Sequence, residues 1–230
     1  MSDDQDAVCE QGVPLEGMAL VDAGLLSRDD IRQITAIHME QIPEGFLTSL
    51  GGHVLQSLFG HLSRSRWGLL IAAREIASGE VRGFVCGTMN TRKLYGEFLR
   101  QSVFLVVTRV APRLVTWRRL RKAAESLLYP LKRDFRAAPS AELLDFAIAD
   151  EWKGTGLAGS LFRAFVETMD ARGVHGFRIS TGAAMYRAQA FYEKMGAVRL
   201  GPPIEIHRGS ETHVYTYHMR SKGAHDETDL

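Results

Sequence analysis

The sequence predicts an α/β protein in which strands and amphipathic helices alternate within one domain. Its 230 residues are enough to bury a well-formed hydrophobic core. An apolar strand, a glycine-rich corner and the start of an amphipathic helix follow one another in Leu143–Ala158. Two further apolar runs, 67–76 and 80–89, flank Ser78-Gly79 and predict a β-hairpin.

Composition excludes several classes of protein. Apolar residues make up 45% of the chain and charged residues 24%, and the net charge is +1, so global charge points to no partner. Cys9 and Cys86 have neither metal-binding nor redox spacing, which predicts a reduced, cytoplasmic protein. The acidic, polar start of the chain differs from a secretory signal, and no apolar run approaches the roughly 18 residues needed to span a bilayer.

The first half of the chain predicts a strand and two helices. We expect an edge strand in Val13–Val21 and a helix capped by Ser27, with Asp30 completing the cap three residues later. That helix must end near Pro43. Ile42–Gly51 then predicts a loop or broken turn, and a second helix runs from Val54 to Leu62.

Residues 93–138 lie between the predicted hairpin and the Leu143 strand, and we expect them to be helical after Pro112. The segment 109–136 holds nine basic and two acidic residues, a local charge of +7. A solvated helix packed by its apolar face explains this pattern. The alternative is a surface for an anionic membrane, a nucleotide-linked acceptor or an acyl carrier protein. No nucleic-acid-binding module accompanies the segment, so we expect no nucleic acid.

The glycine corner predicts an anion site. The first N–H groups of a helix have no internal partner and lie at the positive end of its dipole. Gly154 and Gly156 remove the Cβ atoms that would keep a phosphate away from the backbone. The apolar face of the helix that follows consists of Leu157, Leu161, Phe162, Phe165 and Met169.

Three interpretations of this corner compete. Gly154–Gly159 matches the dinucleotide fingerprint G-x-G-x-x-G, but that fingerprint requires an acidic residue about 20 positions later. Arg178–Thr181 supplies no acidic residue, and no P-loop sequence is present. A turn that only packs explains one glycine more easily than three in six positions.

The third interpretation is a family resemblance. Lys153–Ala158 resembles the acyl-CoA motif [RQ]-x-x-G-x-[GA] of the GNAT N-acetyltransferase superfamily, with Lys in the first position. Glu142–Ile148 resembles that family's fourth strand, and Ala188–Gly196 resembles its A-x-x-F-Y-E-K-x-G segment, at the right intervals. The resemblance is specific over Glu142–Gly201. It implies a single domain with the GNAT fold over 14–220, a mixed central sheet with flanking helices, in which 93–138 is a basic helical insertion before the fourth strand.

The resemblance also implies acetyl-CoA as co-substrate and no metal. Backbone N–H groups of the corner would hold the diphosphate, with added charge from Lys153. The pantetheine would lie along the fourth strand, where the Ile148 N–H is a candidate donor to the thioester carbonyl. The predicted cofactor-binding residues are Phe146, Ala147, Ile148, Lys153, Gly154, Thr155, Gly156, Leu157, Ala158 and Gly159.

Three side chains are candidates for catalysis. Tyr192 aligns with the tyrosine that protonates the leaving thiolate in many relatives, although it could instead only pack beneath the cofactor. Glu142 aligns with the glutamate that some lysine-modifying relatives use as general base. Asp145 should lie on the opposite face because strand side chains alternate, so only one of the two carboxylates would face the acceptor. Either carboxylate could be merely exposed, with water acting as base. Met185 replaces the family's usual Asn and loses a side-chain hydrogen bond.

The acceptor site is the least defined part. His38, Glu40 and Phe46, near the end of the first helix, are candidates for its mouth, although a lone His there is more often structural.

We expect direct acetyl transfer from acetyl-CoA to a small-molecule or peptide amine. A longer acyl chain or acyl carrier protein donor and a non-catalytic acyl-CoA-binding module are the alternatives. The sequence leaves open whether the protein forms a homodimer. Residues 1–13 and 221–230 are polar, and we expect disordered tails.

Overall fold

The computed structural model describes residues 15–43, 46–49, 51–105, 139–207 and 210–219. Both predicted tails and the whole basic segment 109–136 lie outside this part of the chain, so their predictions stay untested. Among the described helices, none combines the length and apolarity that a membrane crossing requires.

Six helices and eight strands are present in the described ranges. The helices are α1 (Arg28–Gln41), α2 (Phe46–Ser49), α3 (Gly52–Leu62), α4 (Thr91–Leu105), α5 (Leu157–Ala171) and α6 (Tyr186–Lys194). The strands are β1 (Met18–Asp22), β2 (Gly68–Glu75), β3 (Val81–Thr88), β4 (Glu142–Ile148), β5 (Gly176–Gly182), β6 (Val198–Arg199), β7 (Ile204–His207) and β8 (Ser210–His218).

The strands form one mixed sheet in the order β1-β2-β3-β4-β5-β8-β6, and β7 pairs with β8. Strands β4 and β5 run parallel, whereas the other described pairs are antiparallel. This arrangement confirms the predicted fold, a mixed central sheet flanked by helices.

Two helical layers cover the sheet. Helices α1, α3 and α4 pack on one face, around buried Phe59 and Phe84. Helices α5 and α6 pack on the other face, around Phe162, Phe165 and Phe177. All five predicted apolar residues of α5 are fully buried, so the predicted orientation of this helix is confirmed.

Local predictions for the first half are largely confirmed. The Ser27 side chain accepts from the Asp30 N–H, and the Asp30 carboxylate accepts from the Ser27 N–H, which completes the capping box of α1. The predicted loop Ile42–Gly51 contains the one-turn helix α2. Helix α4 already begins at Thr91, and strand β7 was not predicted at all.

Candidate active site

Strand β4 has an open edge where it diverges from β5. The two strands pair only at Glu142 with Arg178 and at Leu143 with Ile179. On the other edge, the Ala149 N–H donates to the Arg82 carbonyl oxygen beside β3 at 2.9 Å. Because the backbone groups of successive residues point to alternate edges, the N–H groups of residues 146 and 148 point to the open edge.

A cavity of about 710 Å³ lies beside this open edge. It is bounded by β4, by the corner before α5, by α6 and by the end of α1. Its lining residues are Gln41, Ile42, Phe146, Ala147, Ile148, Trp152, Lys153, Gly154, Ala158, Ala184, Met185, Tyr186, Arg187, Ala188, Phe191 and Tyr192. Most of this lining is apolar. Six predicted cofactor-binding residues line the cavity, whereas Thr155, Gly156, Leu157 and Gly159 do not.

The corner before α5 presents unpartnered backbone donors. Gly154 and Gly156 have φ values of +82° and +96°, a left-handed conformation that favours glycine. Among the described residues, none accepts a hydrogen bond from the N–H groups of Gly154, Ala158 or Gly159. Unpartnered donors at the positive end of α5 can bind an anion.

Two cations lie at the rim of the cavity. Lys153 Nζ donates to Asp150 Oδ1 and to Gln41 Oε1, each at 2.5 Å, and so connects the corner to the last residue of α1. The hydrogen bond from Lys153 lowers the pKa of Asp150. Arg187, exposed in the first turn of α6, adds a second cation. Sequence reasoning missed Arg187 because it belongs to no motif.

A β-bulge changes the predicted placement of the carboxylates. Cys86 of β3 pairs with Asp145, but the next residue, Gly87, pairs with Leu143, so Leu144 is an extra residue on β4. Glu142 pairs with Thr88, two residues beyond Cys86 on the same face of β3. Glu142 and Asp145 therefore share the face covered by α1 and α4. The prediction of opposite faces was wrong, because the bulge interrupts the alternation.

The two carboxylates nevertheless have different environments. Glu142 Oε2 accepts from Arg178 Nη2 at 2.7 Å and from Thr91 Oγ1 at 3.1 Å, and Oε1 accepts from Ser180 Oγ at 3.3 Å. Both of its oxygens are occupied, at the closed end of the gap between β4 and β5. Asp145 lies closer to the open edge and is 8% exposed.

Asp145 bonds to one of the predicted acceptor-site residues. His38 is buried on α1, and its Nδ1 contacts Asp145 Oδ2. The cavity lining includes neither His38 nor the carboxylates Asp145 and Glu142, and it also lacks Glu40, which is exposed. Phe46 begins α2, but its side chain lies outside the described residues. The structure therefore brings together His38 and Asp145, and leaves Glu40 apart.

Tyr192 faces the cavity from α6. Its side chain is 7% exposed and packs against the rings of Phe162 and Phe191. Burial, followed by the negative charge of Asp145, raises the pKa of Tyr192, so the phenol remains protonated at neutral pH. Asp145 belongs to the face covered by α1 and Tyr192 to the core on the α5 side. The two groups therefore approach the gap from opposite faces.

Comparisons with known proteins identify the family. A sequence model of the Acetyltransferase (GNAT) family matches residues 32–197. The chain belongs to the GNAT acetyltransferase family. No curated protein matches the chain. Within the described ranges of this GNAT protein, no three histidine, cysteine, aspartate or glutamate side chains are close enough to hold a metal ion.

Solved structures share the fold. An N-acetyltransferase from Staphylococcus aureus Mu50 is 12% identical and has a TM-score of 0.56, covering 87% of this chain and 98% of its own. NAA60 from Arabidopsis thaliana in complex with acetyl-CoA is also 12% identical, with a TM-score of 0.54 over 88% of this chain and 98% of its own. The same plant protein in complex with a bisubstrate analogue is 14% identical, with a TM-score of 0.54 over 87% of this chain and 97% of its own.

Proposed function

We propose that this GNAT protein transfers an acetyl group from acetyl-CoA to a primary amine by direct attack. The observation that carries the proposal is the open edge of β4, beside a cavity that extends to the unpartnered amides before α5. Family membership and the acetyl-CoA complex of A. thaliana NAA60 support the choice of donor. The acceptor is a small-molecule or peptide amine.

The donor would be bound mainly by backbone groups. Its diphosphate accepts from the N–H groups of the corner Gly154–Gly159, with Lys153 and Arg187 close enough to add charge. Its pantetheine occupies the largely apolar cavity and pairs with the open edge of β4. The Ile148 N–H then donates to the thioester carbonyl oxygen and stabilises the negative charge that develops during attack. Holding amine and thioester together supplies much of the acceleration.

Asp145 is the better candidate for the base. Glu142 already accepts hydrogen bonds from three side chains, whereas Asp145 lies near the open edge and its charge acts on Tyr192. In the reaction, the amine nitrogen bonds to the thioester carbon and its proton passes to Asp145. The C–S bond breaks, and the Tyr192 hydroxyl hydrogen-bonds to the departing sulfur. The raised pKa of Tyr192 favours stabilisation of the thiolate over early proton transfer.

A covalent acetyl-enzyme is disfavoured within the described part of the chain. Its free cysteine is Cys86, which is buried on β3. Burial, followed by the charge of Asp145, raises the pKa of this thiol well above its ordinary value. The thiol therefore stays protonated and is a poor nucleophile.

Thiol release in an amine library tests the proposal. The donors are acetyl-CoA, a long-chain acyl-CoA and acylated carrier protein, and the acceptors are polyamines, amino sugars, amino acids and peptides. We expect saturable, amine-dependent release with acetyl-CoA, and an acetylated amine identified by mass spectrometry. Preference for the carrier protein or the long chain would replace the proposed donor. CoA binding in calorimetry without turnover of any amine would favour a binding module.

A further inference from the structure

A buried hydrogen-bonded chain connects three elements behind the candidate active site. Thr48 lies in α2, His38 in α1, and Asp145 in β4, 107 positions from His38 in sequence. His38 is 3% exposed, and its ring packs edge-on against Phe59 at 5.8 Å between centroids. The chain therefore ends at the carboxylate that the proposed function assigns as base.

The donors in this chain can be assigned by counting protons. Thr48 Oγ1 donates to the Ile42 carbonyl oxygen at 2.6 Å. A hydroxyl has a single proton, so Thr48 Oγ1 must accept at its 3.1 Å contact with His38 Nε2. His38 Nε2 therefore carries a proton. The contact between Nδ1 and Asp145 Oδ2 joins two potential acceptors, so it requires a further proton between them.

This assignment leaves one oxygen of Asp145 available. Oδ2 is occupied by His38, whereas no described side chain donates to Oδ1. Within the described ranges, the titratable groups that interact with Asp145 are His38, through the contact with Oδ2, and Cys86, Tyr95 and Tyr192, through the negative charge of the carboxylate. Burial raises the pKa of Cys86, Tyr95 and Tyr192, so these three groups stay uncharged at neutral pH.

We propose that His38 is a positioning residue, which holds Asp145 by Oδ2 so that Oδ1 receives the proton of the acceptor amine, while Thr48 fixes the imidazole. This inference rests on the proposed function. The amine gives its proton to Oδ1 as its nitrogen bonds to the thioester carbon, and the His38 protons remain in place. Without the imidazole, no side chain in the described part of the chain sets the direction of the Asp145 carboxylate.

Nitrogen-15 NMR of the imidazole tests the hydrogen-bond assignment without any substrate. We expect a protonated Nε2 and a low-field exchangeable proton between Nδ1 and Asp145. Asp145→Asn should abolish that low-field proton and leave Nε2 protonated. Thr48→Val should make the Nε2 proton exchange faster. An unprotonated Nε2, or no low-field proton in the wild type, would overturn the assignment.

Kinetics with a library amine test the role of His38. His38→Ala should lower kcat about 100-fold and shift the acidic limb of the pH profile, with KM for acetyl-CoA unchanged. His38→Asn retains an N–H donor near the Nδ1 position and should recover about tenfold, as should imidazole added to the alanine variant. Asp30→Asn, in the same helix, should lower stability without changing kcat.

The outcomes separate the two proposals. If wild-type turnover is present but His38→Ala keeps its kcat and pH profile, His38 is only structural and the inference fails alone. If the wild type acetylates no amine, the proposed function fails and the inference fails with it. If His38→Ala does not fold, His38→Asn is the test instead. Wild-type kinetics in His38→Asn would also overturn the inference.

Discussion

Replacing Gly156 with glutamate tests whether the corner before α5 binds the donor diphosphate. Gly156 has φ +96°, a conformation that costs a residue with a Cβ atom about 1–2 kcal/mol. The nearest neighbour of an added Cβ atom is Leu15 Cδ1 at 3.7 Å, an ordinary contact. The expected loss of folding stability is therefore limited to the backbone strain.

The effect on CoA binding is a separate quantity, set by the charge of the new side chain. A carboxylate about 5 Å from one phosphate charge, at an effective dielectric constant of 20–80, adds about 1–3 kcal/mol of repulsion. This corresponds to a loss of CoA affinity of about 5- to 150-fold. Gly156→Gln has the same size without the charge and should lose less affinity, so the difference between the two variants measures the electrostatic part.

Gly173 provides a matched control. It follows α5 at the opposite end of the helix, has φ +76°, and an added Cβ atom would meet nothing within 4 Å. Gly173→Glu should therefore lower stability about as much as Gly156→Glu and leave CoA affinity unchanged. Calorimetric titration with CoA and thermal unfolding give the two quantities. Wild-type affinity in a folded Gly156→Glu, or an equal loss in Gly173→Glu, would refute the assignment.

Four further outcomes follow from the site and from α1. Asp145→Asn should lower kcat in the thiol-release assay about 10²- to 10⁴-fold with CoA binding unchanged, and a retained kcat would place the base elsewhere. Glu142→Gln should instead lower the free energy of unfolding in urea by about 3 kcal/mol, because the buried guanidinium that it binds loses its carboxylate; unchanged stability would contradict this. Tyr192→Phe should keep the packing and lower kcat about tenfold, whereas an unchanged kcat at saturating acetyl-CoA would leave Tyr192 a packing role only. Burial raises the pKa of Asp30, but the hydrogen bonds from Ser27 and the hydrogen bond and charge of Arg74 together outweigh it and leave that pKa below its ordinary value of 3.8. The Asp30 carboxylate therefore stabilises the fold above pH 3.8, and this stabilisation is lost as the pH falls through the pKa that Asp30 has in the folded protein. Asp30→Asn should flatten the acid side of the stability–pH curve, and an unchanged curve would contradict the assignment.

Features determined by neighbouring residues could be predicted from the sequence. The capping box at Ser27 depends on a residue three positions away, and the apolar face of α5 depends on spacings of three and four. The corner at Gly154 and Gly156 has the positive φ values that glycine permits. The fold followed from these local features, because their order along the chain resembles one family.

The arrangement of the candidate site could not be predicted in the same way. The contact between His38 and Asp145 spans 107 positions, and no local pattern specifies which helix covers that part of the sheet. No glycine or proline within β4 marks the bulge at Leu144, and the glycine opposite it, Gly87, belongs to a different strand, so the sequence predicted regular alternation. Arg187 and Trp152 line the cavity because of the path of the chain around them.

The extra residue in β4 affects how relatives of this chain should be compared with it. Counting odd and even positions along β4 assigns either Glu142 or Asp145 to the wrong side of the sheet. The partner on β3 is the safer guide, because Cys86 and Thr88 fix both carboxylates on one side. Loss of Leu144 in a homologue would carry one acid through the sheet to the side of Phe165, into a cluster of buried hydrophobic residues. If the displaced acid is the equivalent of Asp145, such a homologue needs its proton acceptor on a different strand.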